Sequence, residues 1–527
     1  MGSQKVAIIG AGLAGLAAIK EFEEAGHEVI CFEKNADIGG VFSDLGTYDS
    51  VELTVSNYFM AYSDFMPYDD IVRFWSRKEY KDYLDRYAEH FNLRANINFE
   101  CEVVAIKRYE SHIEVSYKDK ALVDRKVFVD AVSICSGQFQ KPNMPNIEGL
   151  ASFPGPVIHS SEYKNADACS ELKGKNVLCL GMGESAADVV TEIAEIAGST
   201  VLSLRRYHVF APKNIAEGVP IDVMQSRSWH SLPAKAKADS VRNAWKRVAE
   251  SPSDTANRML AEHIVAASDE PGSVVTKTER IFEAAAKGMD INIGGISHIE
   301  GNCVHFNDGS KKNFDGIVLC TGFKFHLPFV NDVYRPKNIR DCYLQIFHPS
   351  LREKIFFIGF SRPQQGGVPL IAELQSRYVA LVLSGERKLP ADLETPAQRD
   401  RRFWEQEFYE TPHIFGLINA FRYNEVIAEL IGCRPPMPNL LFSPNKFFVY
   451  WFHHIWPCQF RLRGPGARKE ARKRWHLSPC LVANNQNPSA RFKAIRIYWL
   501  IKSIVRDKFM TNQAGRRRPI MFRRAHG

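Results

Sequence analysis

The chain has 527 residues, 45% of them hydrophobic and 11% aromatic, with 68 Lys+Arg against 60 Asp+Glu. That length holds two to three domains with sizeable cores, and the first four hundred residues contain no low-complexity tract, which excludes a mainly disordered or fibrous protein. The formal net charge of +8 is concentrated from Arg461 onward, where 18 Lys+Arg face only Glu470 and Asp507, so no basic nucleic-acid-binding body is expected.

The first informative element is Lys5 to Ile9, apolar after its lysine, as a buried parallel strand requires. It runs into the turn Gly10-Ala11-Gly12-Leu13-Ala14-Gly15, and Leu13 to Phe22 continue with helical spacing. In such a turn Gly10 permits the tight bend, Gly12 lets the backbone approach a pyrophosphate, and Gly15 lets the helix lie close to the strand. The free N–H groups of the helix start then face phosphates. A second strand, His27 to Phe32, ends at Glu33, 23 residues beyond Gly10, where a carboxylate can accept from unphosphorylated ribose hydroxyls. Gly39-Gly40, with Val41 and Phe42, follow in a loop near that ligand.

The pattern returns roughly 170 residues later. Asn176 to Leu180 repeats the strand, Gly181-Met182-Gly183-Glu184-Ser185-Ala186 the turn, and Ser185 to Ile196 the helix, with Ala186 in place of the third glycine. The next strand, Val201 to Leu204, ends in Arg205-Arg206 with Ser203 just before. Two guanidiniums and a hydroxyl suit a 2′-phosphate, which a carboxylate would repel. The first turn is therefore expected to hold FAD and the second NADPH.

A flavin beside NADPH can pass electrons to a disulfide, a protein or oxygen. None of the eleven cysteines forms a C-x-x-C pair, which argues against a close-spaced dithiol. Cys31, Cys135, Cys179 and Cys320 lie in apolar runs and read as buried small residues. Between the two turns stands Phe153-x-Gly155-x-x-x-His159-x-x-x-Tyr163. With it the chain resembles the class B flavin monooxygenases, and within them the flavin-containing monooxygenases. Asp130 to Gly137, Asp315 to Phe323, Ser63-Asp64-Phe65 with Pro67, Glu373 to Arg377, and Phe460-Arg461-Leu462 with Gly464-Pro465-Gly466 are similar to further landmarks of that family.

The resemblance implies an α/β fold of two Rossmann-like dinucleotide-binding domains, an FAD domain with an inserted NADPH domain, plus a C-terminal mainly helical extension. It implies that Ser136, Gly137, Thr321, Gly322 and Gln375 join the two turns in binding cofactor. By the family's mechanism NADPH reduces FAD, oxygen adds at the flavin C4a atom as a hydroperoxide, and one oxygen atom passes to a soft nitrogen or sulfur nucleophile. The motif closes with Tyr163-Lys164 rather than Trp-Pro, which favours that chemistry over Baeyer–Villiger oxidation of a ketone. An NADPH oxidase-like flavoprotein releasing hydrogen peroxide is the alternative from another class. The family's asparagine near flavin and nicotinamide aligns with Thr54, and Asn57 lies three residues on; either is expected to fill the role. His159 is expected in the linker near NADP(H), orienting rather than transferring protons.

The FAD domain is expected over residues 1–163 and 315–389, the NADPH domain over 164–314, the C-terminal family region over 390–466 and a basic tail over 467–527. The polar stretch from Ser226 to Lys287 has helical period and is expected to cap the cleft. Adjacent His453-His454 point apart in any regular element, so no metal is expected. Within the tail, Phe492 to Val505 is too short and charged to span a bilayer. It suits either a membrane interface, with basic residues toward anionic lipid, or packing on the body. With its first strand at Lys5 leaving no room for a secretory signal, the protein is expected to be cytoplasmic, either free or peripheral on a membrane's cytoplasmic face.

Overall fold

Two parallel five-stranded sheets carry the chain in the computed structural model, which describes residues 2–475 except 45, 70, 217, 269–274 and 409–415. The first is built on β1 (Lys5–Ile9), α1 (Leu13–Glu24) and β2 (Glu28–Phe32). Val6, Ala7 and Ile8 are fully buried, as the apolar run requires of a strand covered on both faces. β1 pairs with β2, Ala7 opposite Ile30, and with Ala131–Ile134 on its other side; Ile355–Phe357 and Ile97–Asn98 form the two edges. The long buried helix Val368–Leu383 packs along α1.

The second sheet repeats the unit with β3 (Asn176–Leu180), α2 (Glu184–Ile196) and β4 (Ser199–Leu204). Its order is Asp290–Ile293, β4, β3, Gly316–Leu319, Val157–His159, all parallel. The last two strands fall outside the expected boundaries at 163 and 315. Both lead into or out of the linkers between the sheets, so their sequence position reads as the first domain while their hydrogen bonds belong to the second. Each sheet carries an antiparallel three-stranded annex, 102–129 on the first side and 296–313 on the second. The stretch from Ser226 forms helices Arg227–His230, Ala234–Glu250, Thr255–Ala267 and Arg280–Ala286. The C-terminal region is mainly helical, with Glu394–Glu407, Ala420–Ile431 and Pro444–Phe452.

Two buried ion clusters fasten that region. Arg461, fully buried, meets Glu21 of α1, Glu373 at 2.8 Å and Asp64 at 3.1 Å, and its Nε donates to Ser63 at 2.8 Å. Lys20, equally buried, adds contacts to Glu21 and Asp64, and Arg377 donates to the Phe460 and Pro465 carbonyls. The three landmarks, spread from Ser63 to Arg461 in sequence, thus converge on one charge-balanced knot. Burial opposes ionisation of Asp64, yet Arg461 and Lys20 hold its carboxyl down to about 2. In the second cluster Arg227 reaches Gln459 at 2.7 Å and Glu425 at 3.1 Å and lies 4.0 Å over the Tyr450 ring. It ties the inserted domain to the C-terminal region.

Candidate active site

The first turn has the geometry its glycines require. Gly10 has φ +99°, and a Cβ there would lie 2.9 Å from the Cys135 carbonyl oxygen; a Cβ on Gly15 would overlap the Gly10 carbonyl. Gly12 begins α1 with no side-chain cap, leaving the first N–H groups of Leu13, Ala14 and Gly15 for an anion. Glu33 is buried, and its Oε2 accepts from the Ala11 N–H at 2.7 Å while Oε1 accepts from Asn35. The carboxylate is thereby fixed beside the turn, where ribose hydroxyls would meet it. Gly39 (φ +111°) and Gly40 (φ +59°) close over Gly12, and Gly39 N–H donates to the Ala11 carbonyl at 3.1 Å. Val41 and Phe42 complete that short 3-10 turn, with Phe42 edge-on to Tyr80. Ser136 Oγ is buried without a hydrogen-bond partner, and around Gly137 (φ +79°) a Cβ would meet nothing within 4 Å. An orphaned donor beside open space fits a dinucleotide at this turn.

The second turn is built alike. Gly181 (φ +92°) backs on the Cys320 carbonyl, Gly183 starts α2 beside open space without a side-chain cap, and Ala186 is fully buried against the turn. As in the first unit, the helix begins three residues after the first glycine of the turn. Ser185 lies in the first turn of α2. Arg205 and Arg206 leave the end of β4, whose Ser203 carbonyl accepts from Gly181 N–H at 3.3 Å, so both guanidiniums start alongside the turn. Ser203 itself is buried within the ladder, and its hydroxyl donates to Asn292 at 3.3 Å.

Glu184 is the exception at an anion site. It is partly exposed, but its Oε2 is buried with no hydrogen-bond partner, and burial pushes its carboxyl up to about 7 against the pull of Lys277 and Arg362. Below that pH the group is neutral and leaves the helix start free for a pyrophosphate; above it the added charge repels one. The KM for NADPH is expected to rise as pH increases through 7, and Glu184→Gln to flatten that rise. Steady-state kinetics from pH 6 to 8.5 check this.

The two sheets are joined by a double linker. Asn143 and Thr321 exchange side-chain to backbone hydrogen bonds, and Asn143 N–H donates to the Gly322 carbonyl at 2.8 Å. His159, almost fully buried, accepts at Nδ1 from Ser161 N–H at 3.1 Å, which leaves Nε2 to donate to the Gly322 carbonyl at 3.1 Å. Burial lowers its pKa below the usual histidine range. It clasps one linker to the other and is placed to orient. The rest of its motif is equally architectural: Phe153 lies in the core, a Cβ on Gly155 would overlap the Asp315 carbonyl, and Tyr163 donates to Glu192 of α2 at 2.5 Å.

Between the sheets runs the loop that carries Thr54. Lys277, buried, donates to the Thr54 carbonyl at 2.8 Å and to Asp222 at 2.5 Å; the other Asp222 oxygen accepts from Ser56 N–H at 2.7 Å. The inserted domain thus grips the loop by its backbone. Sequence reasoning missed Asp222 and Lys277, since single charges in a polar stretch give no signal. Asn57 is fully buried with its amide engaged: Nδ2 donates to the Ile71 carbonyl and Asp69, and Oδ1 accepts from the Tyr58 and Arg73 N–H groups. It holds the 69–73 segment rather than facing a cofactor. Gln375 is likewise engaged, accepting from Gly359 N–H at 2.9 Å and donating to Ser361 and Tyr423. It supports the loop that packs on Ala14, one layer behind the first turn.

Among the described residues no helix is long and apolar enough to cross a membrane. The stretch Phe492 to Val505 lies outside the described residues.

A family model described as flavin-binding monooxygenase-like matches residues 3–478. The chain is 40% identical over 478 residues, 89% of it and 91% of the relative, to a protein of Marinomonas mediterranea named 4-hydroxybenzoate brominase (decarboxylating). It is 38% identical over 485 residues, 90% of it and 93% of the relative, to a protein of the same name from Pseudoalteromonas luteoviolacea. Among solved structures it superposes on the S-allyl-L-cysteine S-oxygenase of Allium sativum with a TM-score of 0.59, at 22% identity, over 82% of this chain and 89% of that one. The glycine turns, the double linker and these matches agree: the chain belongs to the flavin-binding monooxygenase-like family and is an FAD- and NADP-dependent oxidoreductase.

Proposed function

We propose that this monooxygenase directs its activated oxygen to bromide and uses the product to replace the carboxylate of a phenolic acid such as 4-hydroxybenzoate by bromine. The observation that carries the reading is 40% identity across 89% of the chain to a relative of that name, with a second such relative at 38%. When bound, FAD reduced by NADPH supplies a two-electron oxidant from O2. Bromide, like an amine or a thioether, is a soft nucleophile and takes the oxygen atom to give hypobromous acid. Ring substitution at the carbon bearing the carboxylate then releases CO2 and water.

The chain's residues bind, orient and exclude water. Gly10 to Gly15 and Glu33 take FAD; Gly181, Gly183 and Arg205-Arg206 take NADPH. The Asp222–Lys277 grip sets the Thr54 loop, where the Thr54 hydroxyl replaces the family's amide. Arg227 holds the C-terminal region over the inserted domain and keeps bulk water out.

Replacing Arg205 and Arg206 with Ala is expected to raise the KM for NADPH more than about tenfold, one charge-assisted hydrogen bond being worth about 1.5–3 kcal/mol. The KM for NADH should barely change, and equal effects on both would contradict the assignment.

Mass spectrometry after incubation with NADPH, O2, 4-hydroxybenzoate and bromide tests the substrate reading; bromophenol formed only with bromide supports it. Oxygenation of nitrogen or sulfur is the second reading, favoured by the Tyr163-Lys164 close of the motif. N- or S-oxides from an amine and thioether panel, with no bromophenol, would establish it instead.

A further inference from the structure

The second sheet's annex contains a side-chain cluster that the cofactor sites do not use. In the hairpin of Ile296–Glu300 and Cys303–Phe306, His298 stands directly opposite His305 and Glu300 opposite Cys303. Alternation along the strands puts all four residues on one face. The two imidazole rings stack with centroids 4.3 Å apart and planes within 15°. Glu300 bridges them: Oε1 is 3.5 Å from His298 Nε2, and Oε2 is 3.5 Å from His305 Nε2. One donor atom from each of the three residues lies within 4.8 Å of the others.

We propose that His298, Glu300 and His305 bind a late first-row divalent cation, Zn2+ or Cu2+. Two imidazole nitrogens and a carboxylate are a donor set of intermediate softness, suited to these ions rather than to Mg2+ or Ca2+. Ligands about 2.0–2.2 Å from a tetrahedral ion stand roughly 3.3 Å from one another. The two 3.5 Å separations are already close to that, so small side-chain rotations complete the site. Ser297 Oγ lies 3.1 Å from His298 Nδ1, the outer hydrogen bond that commonly orients a ligating ring and leaves Nε2 toward the metal. Lys311, opposite His305 on the neighbouring strand, is exposed and free to turn its charge into solvent. Adjacent His453-His454 drew attention in the sequence, whereas the spaced run His298-Ile-Glu-Gly-Asn-Cys-Val-His305 places its donors together only once the hairpin closes.

Isothermal titration of Zn2+ into chelator-treated, FAD-loaded full-length enzyme tests the proposal, with Cu2+ paramagnetic resonance as a second readout. The expected result is one ion per chain, nitrogen hyperfine structure from two imidazoles, and at least about tenfold weaker binding in His298→Ala/His305→Ala. Glu300→Gln should weaken binding while retaining the nitrogen signature. All three side chains are at least partly exposed, so the variants should melt with the wild type and keep its NADPH oxidation rate. Unchanged stoichiometry and affinity in the double variant, or no heat of binding in the wild type, would overturn the proposal.

Discussion

Replacing Arg461 with methionine is expected to lower the free energy of unfolding by about 3–5 kcal/mol and to release FAD on purification. Arg461 is fully buried and supplies the cation shared by Glu21, Asp64 and Glu373, three carboxylates that have almost no access to water. Without it they face one another with Lys20, Arg377 and, 3.8 Å from Asp64, Arg468 left to balance them, and each can escape by taking up a proton or by opening the knot. Burial already pushes the Glu373 carboxyl above the usual range, so it would protonate readily, while Asp64 loses one of the cations that keep it ionised and retains Lys20. The knot anchors α1, whose first turn we assign to the FAD phosphates, so loosening it is expected to reach the cofactor directly. Denaturant unfolding and the flavin absorbance retained per chain measure both effects. A variant that unfolds within about 0.5 kcal/mol of wild type, the range of an ordinary surface change, would show the knot to be dispensable.

Lys277→Met is expected to separate NADPH consumption from product formation. Its ammonium holds the Thr54 carbonyl and Asp222, and Asp222 in turn holds the Ser56 N–H, so one side chain fixes two points of a loop that belongs to the other domain. Removing it leaves the Asp222 charge buried and unpaired, and the loop moves to relieve that cost. Misplacement of a catalytic segment by an ångström costs about 10²-fold in rate. Binding of NADPH, which we assign to the Gly181 turn and Arg205-Arg206, should persist. Product per NADPH therefore falls while hydrogen peroxide rises. Asp222→Asn/Lys277→Met, which removes the stranded charge, should recover stability but not coupling. Full coupling in Lys277→Met would show that the grip does not position the loop.

Both glycine turns, with their strands and helices, were legible in the sequence because their patterning is local. Gly15 and Glu33 meet the first turn itself, within some 25 residues, and a period-two or period-3.6 pattern locates the strands and helices around both turns. The non-local parts were not legible. Lys20 and Glu21 look like ordinary helix charges until Asp64, Glu373 and Arg461 close around them. Ser203 reads as a phosphate donor until the strand register turns it inward, and Asn57 reads as a catalytic amide until the 69–73 segment folds over it. The boundary strands at 157–159 and 316–319 were placed with the wrong sheet because parallel pairing joins segments that lie far apart in sequence.

The reading that the enzyme spends its activated oxygen on bromide is tested most directly by stoichiometry. With 4-hydroxybenzoate, bromide and limiting NADPH under air, the account predicts CO2 release in proportion to NADPH oxidised, little hydrogen peroxide, and no CO2 when bromide is omitted. CO2 release independent of bromide, or NADPH converted to hydrogen peroxide whether or not bromide is present, would contradict it.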